Sequence, residues 1–151
     1  MVKSKIGDVF EVKVGNMNAY FQLVQTDKLK GDLIKVFNSL HEFVPSLEDM
    51  VLTTNFYFVR FPLTAAIKSS IVKRIGNVTL PSDFKLPEYM RSKHVINGEF
   101  LGWHIIDTST WKRTLSKQLT DLERSFSPWG IWNDTLLITR LEEGWSPEKW
   151  V

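Results

Sequence analysis

The chain has 151 residues, is 43% hydrophobic and 24% charged, and contains no cysteine. That balance excludes a disordered chain, and the missing thiols exclude a disulfide framework, a thiolate nucleophile and any Cys-based zinc or iron–sulfur centre. Nineteen basic and seventeen acidic side chains leave a formal +2, too weak a bias for a concentrated nucleic-acid-binding face, so no nucleic-acid partner is expected.

The length fits a single domain over residues 1–151. Its opening, Met1 to Asp8, is basic but lacks the roughly 7–15-residue apolar core of a secretory signal. No apolar run approaches the ~18 residues of a membrane helix. The expectation is a cytoplasmic protein with no membrane partner.

In Asp8–Val14, Phe10, Val12 and Val14 alternate with Glu11 and Lys13, the period of two that gives a strand one core face. Gly15 to Asn18 reads as a turn, because Gly and Asn tolerate positive φ. Ala19–Gln25 and Asp32–Phe37 read as two more strands, separated by the polar, Lys-rich Thr26–Gly31. The three form a predicted antiparallel meander. A short helix starts at Pro45, with Ser46 as its cap and Asp49 favoured near its positive end. Thr54–Phe61 is a β-prone aromatic strand.

Residues 65–76 fit either period, and their β-branched content favours strand. Leu80 to Pro87 is broken by two prolines and reads as a loop packed across the core, anchored by Phe84, Leu86, Tyr89 and Met90. Leu101–Asp107 is a further strand and Thr110–Leu115 another. Leu119, Leu122 and Phe126 follow a helical period within Ser116–Phe126. The clearest helix runs from Trp132 to Gly144, capped by Asn133 or Asp134, with Leu137 and Leu141 spaced i,i+4 and Gly144 as its stop. The predicted fold is α+β: a bent antiparallel sheet or partial barrel with C-terminal helices packed on it.

Motifs of catalysis are missing. There is no Gly-rich phosphate loop, His-Glu-x-x-His pair or Gly-x-Ser-x-Gly elbow. His104 and Asp107 fall on opposite faces of a strand, and Asp107–Thr110 is a natural end-of-strand turn. His41 and His94 read as surface residues. No enzyme activity, cofactor or metal site is expected.

All six tryptophans lie in the last third of the chain. Trp103, Trp111, Trp129 and Trp132 belong to strand or helix-entry segments and are expected in the core. Trp145 and Trp150 follow the helix stop and are expected partly exposed. Glu142 and Glu143 close that helix at its negative end, where acids are unfavourable. Residues 95–151 hold 6 basic and 8 acidic side chains against 13 and 9 in residues 1–94. An acidic C-terminal face is thus a candidate binding surface, made of Glu142, Glu143, Trp145 and Trp150.

Three stretches together carry a resemblance. They are Gly7-Asp8-Val9-Phe10-Glu11-Val12 with Ala19 to Val24; Leu80 to Pro87 leading to Trp103-His104-Ile105-Ile106; and Gly130-Ile131-Trp132-Asn133-Asp134 with Leu137, Arg140, Leu141, Gly144 and Trp145. In their order and spacing the chain resembles the immunity protein 26 family of bacterial toxin systems. The resemblance implies a small cytoplasmic protein that binds and neutralises a cognate toxin without catalysis. Against a nuclease toxin with a basic site, Glu142 and Glu143 could stand in for phosphate and speed association. The other reading of the residues is a β-barrel-like module that binds a peptide or nucleic acid through aromatics such as Tyr57.

Overall fold

Among the described residues, nine strands in two separate sheets, four short helices and a 3-10 turn (Pro147–Lys149) form the fold. The structure, a computed structural model, describes residues 3–151. Met1 and Val2 of the basic opening lie outside the described residues. The α+β class holds, with mainly antiparallel strands and C-terminal helices. The strands do not join into one bent sheet or a closed barrel. They divide between two compact units, one running through Phe84 and adding Ile131–Ser146, the other comprising Lys85–Gly130 and Pro147–Val151.

The first unit is a five-stranded antiparallel sheet in the order β4-β3-β2-β1-β5. The expected meander is its centre: β1 (Asp8–Val14), β2 (Met17–Gln25) and β3 (Asp32–His41). β4 (Phe56–Phe61) follows on one edge. Register sets Phe10, Phe21, Val36 and Tyr57 side by side on one face, and Glu11, Tyr20, Phe37 and Phe56 on the other. Both faces are covered, which is why β2 is buried continuously from Ala19 to Val24. α1 (Leu47–Met50) inserts Met50 against Val9, Tyr20 and Phe37. Ser46 caps it, its hydroxyl accepting the Asp49 N–H.

α4 (Asp134–Glu143) packs on β1 and β3. Its i,i+4 pair, Leu137 and Leu141, is buried, worth about 1.5–3 kcal/mol for each side chain. Asn133 accepts the Leu136 N–H, and Gly144 ends the helix at φ 64°, a left-handed turn that a Cβ would strain. Both caps match the sequence reading.

Residues 65–76, expected as strand, divide in two. α2 (Leu63–Lys68) turns Leu63 and Ala66 inward, and β5 (Val72–Asn77) pairs with β1. The alanine pair favours the helix, and the β-branched residues cluster at the strand end. The Leu80–Pro87 stretch is irregular as expected, and Phe84 packs edge-on against Phe58.

At the start of β1, Gly7 (φ 93°) lies so close to the Val78 carbonyl that a Cβ would sit 2.7 Å from that oxygen. This packing buries Asp8. Burial by itself raises the Asp8 carboxyl. Hydrogen bonds from Asn77 Nδ2 (2.9 Å) and the Lys5 N–H (2.8 Å), with the Arg74 ion pair (3.0 Å), outweigh it and hold the group below the ordinary carboxylate value. A lowered folded-state value gives stability that is full above the unfolded value and lost as pH falls through the folded one. Asp8→Asn should therefore cost about 1–3 kcal/mol at neutral pH and much less under acid conditions. Urea midpoints measured from neutral pH down into the acid limb check this; a variant that tracks the parent at a constant offset would show that Asp8 is not the titrating group.

The second unit is built on an antiparallel hairpin, β6 (Tyr89–Ile96) and β7 (Glu99–Asp107), closed by Asn97 and Gly98, both at positive φ. β8 (Arg113–Ser116) pairs antiparallel with β7, and the two-residue β9 (Ser127–Pro128) runs parallel to β6. The helix expected over Ser116–Phe126 shrinks to one turn, α3 (Asp121–Arg124). Ser116 instead belongs to β8, and Thr120 and Glu123 form a reciprocal capping box that starts the chain afresh. Leu119 is buried with Trp103 and Ile105, whereas Leu122 is 70% exposed. A common apolar face over 119–126 therefore does not form. No helix among the described residues is long and apolar enough to cross a membrane.

Candidate interaction surface

Trp145 was expected to be partly exposed. It is buried instead, its ring centroid 5.2 Å from both Tyr57 and Trp132 in edge-on contacts. Arg140 lies over its ring at 5.5 Å. The stop at Gly144 turns the chain back onto the sheet, and Asn38 Nδ2 donates to the Trp145 carbonyl at 2.8 Å. Trp145 is therefore part of the core of the first unit and has little surface to offer a partner. Tyr57 is 1% exposed, so its ring is closed to the peptide or nucleic-acid contact considered for it.

Trp150 is half-buried in the second unit, 4.9 Å from Trp103 and 5.0 Å from the Arg91 guanidinium. It packs against the cluster of Trp103, Ile105 and Leu119. Trp111, expected in the core, is 49% exposed and takes φ 65°. Its ring meets Trp129 edge-on at 5.9 Å. Trp103 and Trp132 are buried as expected.

Glu142 and Glu143 are exposed, and Glu143 pairs with Arg140 at 3.2 Å one turn back. That cation offsets part of the unfavourable charge at the helix end. The Asn38–Trp145 bond ties this acidic end of α4 to the far part of β3. The same Asn38 exchanges backbone and side-chain hydrogen bonds with Asn55 at 3.0 Å, which brings in the segment after α1.

The sequence reading missed what surrounds this junction. Leu40, Phe43, Val44, Leu52 and Phe56 are all exposed, Phe43 by 81% and Leu52 by 69%. These five belong to β3, the loop into α1, the segment after it and the start of β4. Glu42, Glu48 and Asp49 add exposed carboxylates to the same loop and helix. Among the cations, Lys35 is drawn inward, its Nζ 4.2 Å from the Phe56 ring centroid and 3.3 Å from the Val51 carbonyl. Burial lowers its pKa. One end of the first unit thus offers apolar side chains among carboxylates. The run Leu40-His41-Glu42-Phe43-Val44 was the available signal, since it places apolar side chains in a connection with no strand or helix to bury them.

The histidines are placed locally. His41 bonds Ser39 Oγ at 2.8 Å and lies against Tyr20. His94 and His104 pack ring on ring at 4.3 Å, and burial, with the charges of His94 and Arg113, lowers the pKa of His104. Asp107 accepts the Ser109 N–H and hydroxyl and the Thr110 N–H, the end-of-strand turn read from the sequence. Among the described residues no three His, Asp or Glu side chains gather as they would around a metal ion. No family profile, curated protein or solved structure matches the chain.

Proposed function

We propose that the protein is a stoichiometric, non-catalytic inhibitor that binds a cognate bacterial toxin in the cytoplasm, the role its sequence resemblance implies. The acid-rimmed apolar end of the first unit is the surface we assign to that contact. The observation that carries the reading is the exposure of Phe43, Val44 and Leu52 on the segments flanking α1, which also expose Glu42, Glu48 and Asp49. Apolar groups left together in water with a polar rim are the usual make-up of a protein-binding patch. Carboxylates around it steer a basic partner and exclude an acidic one. A toxin whose site binds phosphate has such a basic face. Of the residues first singled out, Glu142 and Glu143 enter the proposal as a separate exposed acidic group on α4, which packs on the sheet face opposite α1, whereas Trp145 and Trp150 act through packing.

The test is co-purification with the product of the adjacent gene, followed by association kinetics. A one-to-one complex that protects cells is expected. Reversing both charges (Glu142→Lys with Glu143→Lys) should slow association about tenfold at low salt, with the difference shrinking as salt rises. If no complex forms, or if the toxin stays active within it, the proposal fails.

A further inference from the structure

A second feature of the first unit lies away from the acidic end. A cavity of about 860 Å³ opens between the Thr26–Asp32 connection and α2, a volume within the usual range of about 300–1,000 Å³ for small-molecule sites. Its apolar wall is Phe61, Pro62, Leu63, Ala65 and Ile67. Lys3 and Lys28 line it too, with the hydroxyls of Ser4, Thr26 and Thr64.

Of the two lining carboxylates, Asp27 is ion-paired, whereas Asp32 makes one long hydrogen bond and lies in the field of Arg60. Asp27 Oδ1 accepts the Leu29 and Lys30 N–H groups, each at 2.8 Å, and Oδ2 pairs with Lys30 at 3.6 Å. Asp32 Oδ1 accepts the Asp27 N–H at 3.3 Å. Arg60 is held by the Gly31 carbonyl and Gln25, both at 3.1 Å. Neither Lys3 nor Lys28 is ion-paired among the described residues. The wall is thus apolar, and its available polar groups are two ammonium groups without an ion pair, three hydroxyls and the Asp32 carboxylate.

From this we infer a binding site for a small amphipathic anion, with a carboxylate or phosphate head against Lys3 and Lys28 and an apolar body along Leu63, Ala65 and Ile67. The unpaired ammonium groups favour an anionic head, because Asp27 is paired with Lys30 and the Asp32 carboxylate lies in the field of Arg60. This site does not depend on the toxin-binding reading.

Octanoate, octyl phosphate and octylammonium, titrated into the full chain and followed by backbone amide shifts, distinguish the possibilities. Either or both anions should shift amides in Thr26–Asp32 and Leu63–Ile67, and whichever binds identifies carboxylate or phosphate as the head. Octylammonium should bind at least about fivefold more weakly, as should both anions to the Lys3→Gln, Lys28→Gln double variant. Ala65→Trp fills the cavity from an exposed helix position and should abolish the shifts without changing the thermal midpoint. Octylammonium binding as tightly as the anions, shifts confined to other segments, or no saturable shift at all would each overturn the inference.

Discussion

Replacing Arg91 with methionine should cost the second unit about 3–5 kcal/mol, the largest loss expected from any single polar side chain here. Arg91 is fully buried on β6. Its Nε donates to the Phe126 carbonyl (3.3 Å), Nη1 to that of Trp150 (2.6 Å), and Nη2 to those of Arg124 (3.1 Å) and Pro147. The guanidinium lies 4.4 Å from the Trp103 ring centroid and 5.0 Å from that of Trp150. Burial pulls its pKa down to about 10, with Glu148 opposing, so it stays charged at neutral pH. One planar fork thereby satisfies carbonyls from α3, the approach to β9 and the C-terminal turn.

Methionine fills similar space but leaves those carbonyls without a donor in an apolar setting. A buried cation can often be exchanged for an apolar residue at little cost. That compensation is weak here because the partners are backbone groups that the exchange leaves behind. Arg91→Lys should recover less than half of the loss, since a point ammonium can neither span the fork nor stack between the rings. Chemical denaturation followed by tryptophan fluorescence reads both variants. A methionine variant within about 1 kcal/mol of the parent would show that the carbonyls find other donors.

Trp145→Ala carries the other large effect, about 3–5 kcal/mol from the first unit. It removes the ring that meets Tyr57 and Trp132 and supports the Arg140 guanidinium. The cavity borders α4 and β4, two elements that cannot collapse onto each other without breaking the helix cap. The backbone bonds of residue 145, to Asn38 and to the Arg140 carbonyl, do not depend on the ring. Trp145→Phe should therefore cost much less. By contrast, Glu142→Lys and Glu143→Lys are surface changes and should stay within about 0.5 kcal/mol of the parent in stability. The stability and binding effects thus separate along the chain. If Trp145→Ala weakened association while leaving the denaturation midpoint in place, the ring would be an interface residue after all.

Local physics made several elements readable in advance. The period of two in β1, the Ser46 cap of α1 and the Asn133 and Gly144 caps of α4 each depend on residues a few positions apart. The hairpin of β6 and β7 was equally local, because Asn97-Gly98 is a strong two-residue turn. It went unread because Met90 to Ile96 is mixed in polarity and gives no clean alternation. The helix expected over 116–126 failed for a different reason. Its apolar spacing was real, but Leu119 and Phe126 answer to a sheet cluster around Trp103 rather than to a shared helix face. Periodicity cannot distinguish those cases when the segment is short.

The candidate surface was half legible. Glu142 and Glu143 stood out as acids at the wrong end of a helix. Phe43, Val44 and Leu52 were present in the sequence, but only the pairing of β3 with β4, closed by the Asn38–Asn55 bonds, brings their segments to one end of the sheet. The cavity beside α2 was not visible at all, because its lining comes from the N-terminal residues, the connection after β2, and α2 itself.

The sequence by itself determined the composition limits, the absence of thiol chemistry, the central meander and the capped C-terminal helix. All of these follow from residue identity or from neighbours within a turn or a strand. The tertiary structure alone decided which tryptophans are buried, that Arg91 works inside rather than on the surface, and which apolar groups stay exposed. Those outcomes turn on contacts such as Asn38 with Trp145 or Arg91 with Trp150, 107 and 59 residues apart. The burial and desolvation of a side chain depend on what arrives from elsewhere in the chain, and no local pattern encodes that arrival.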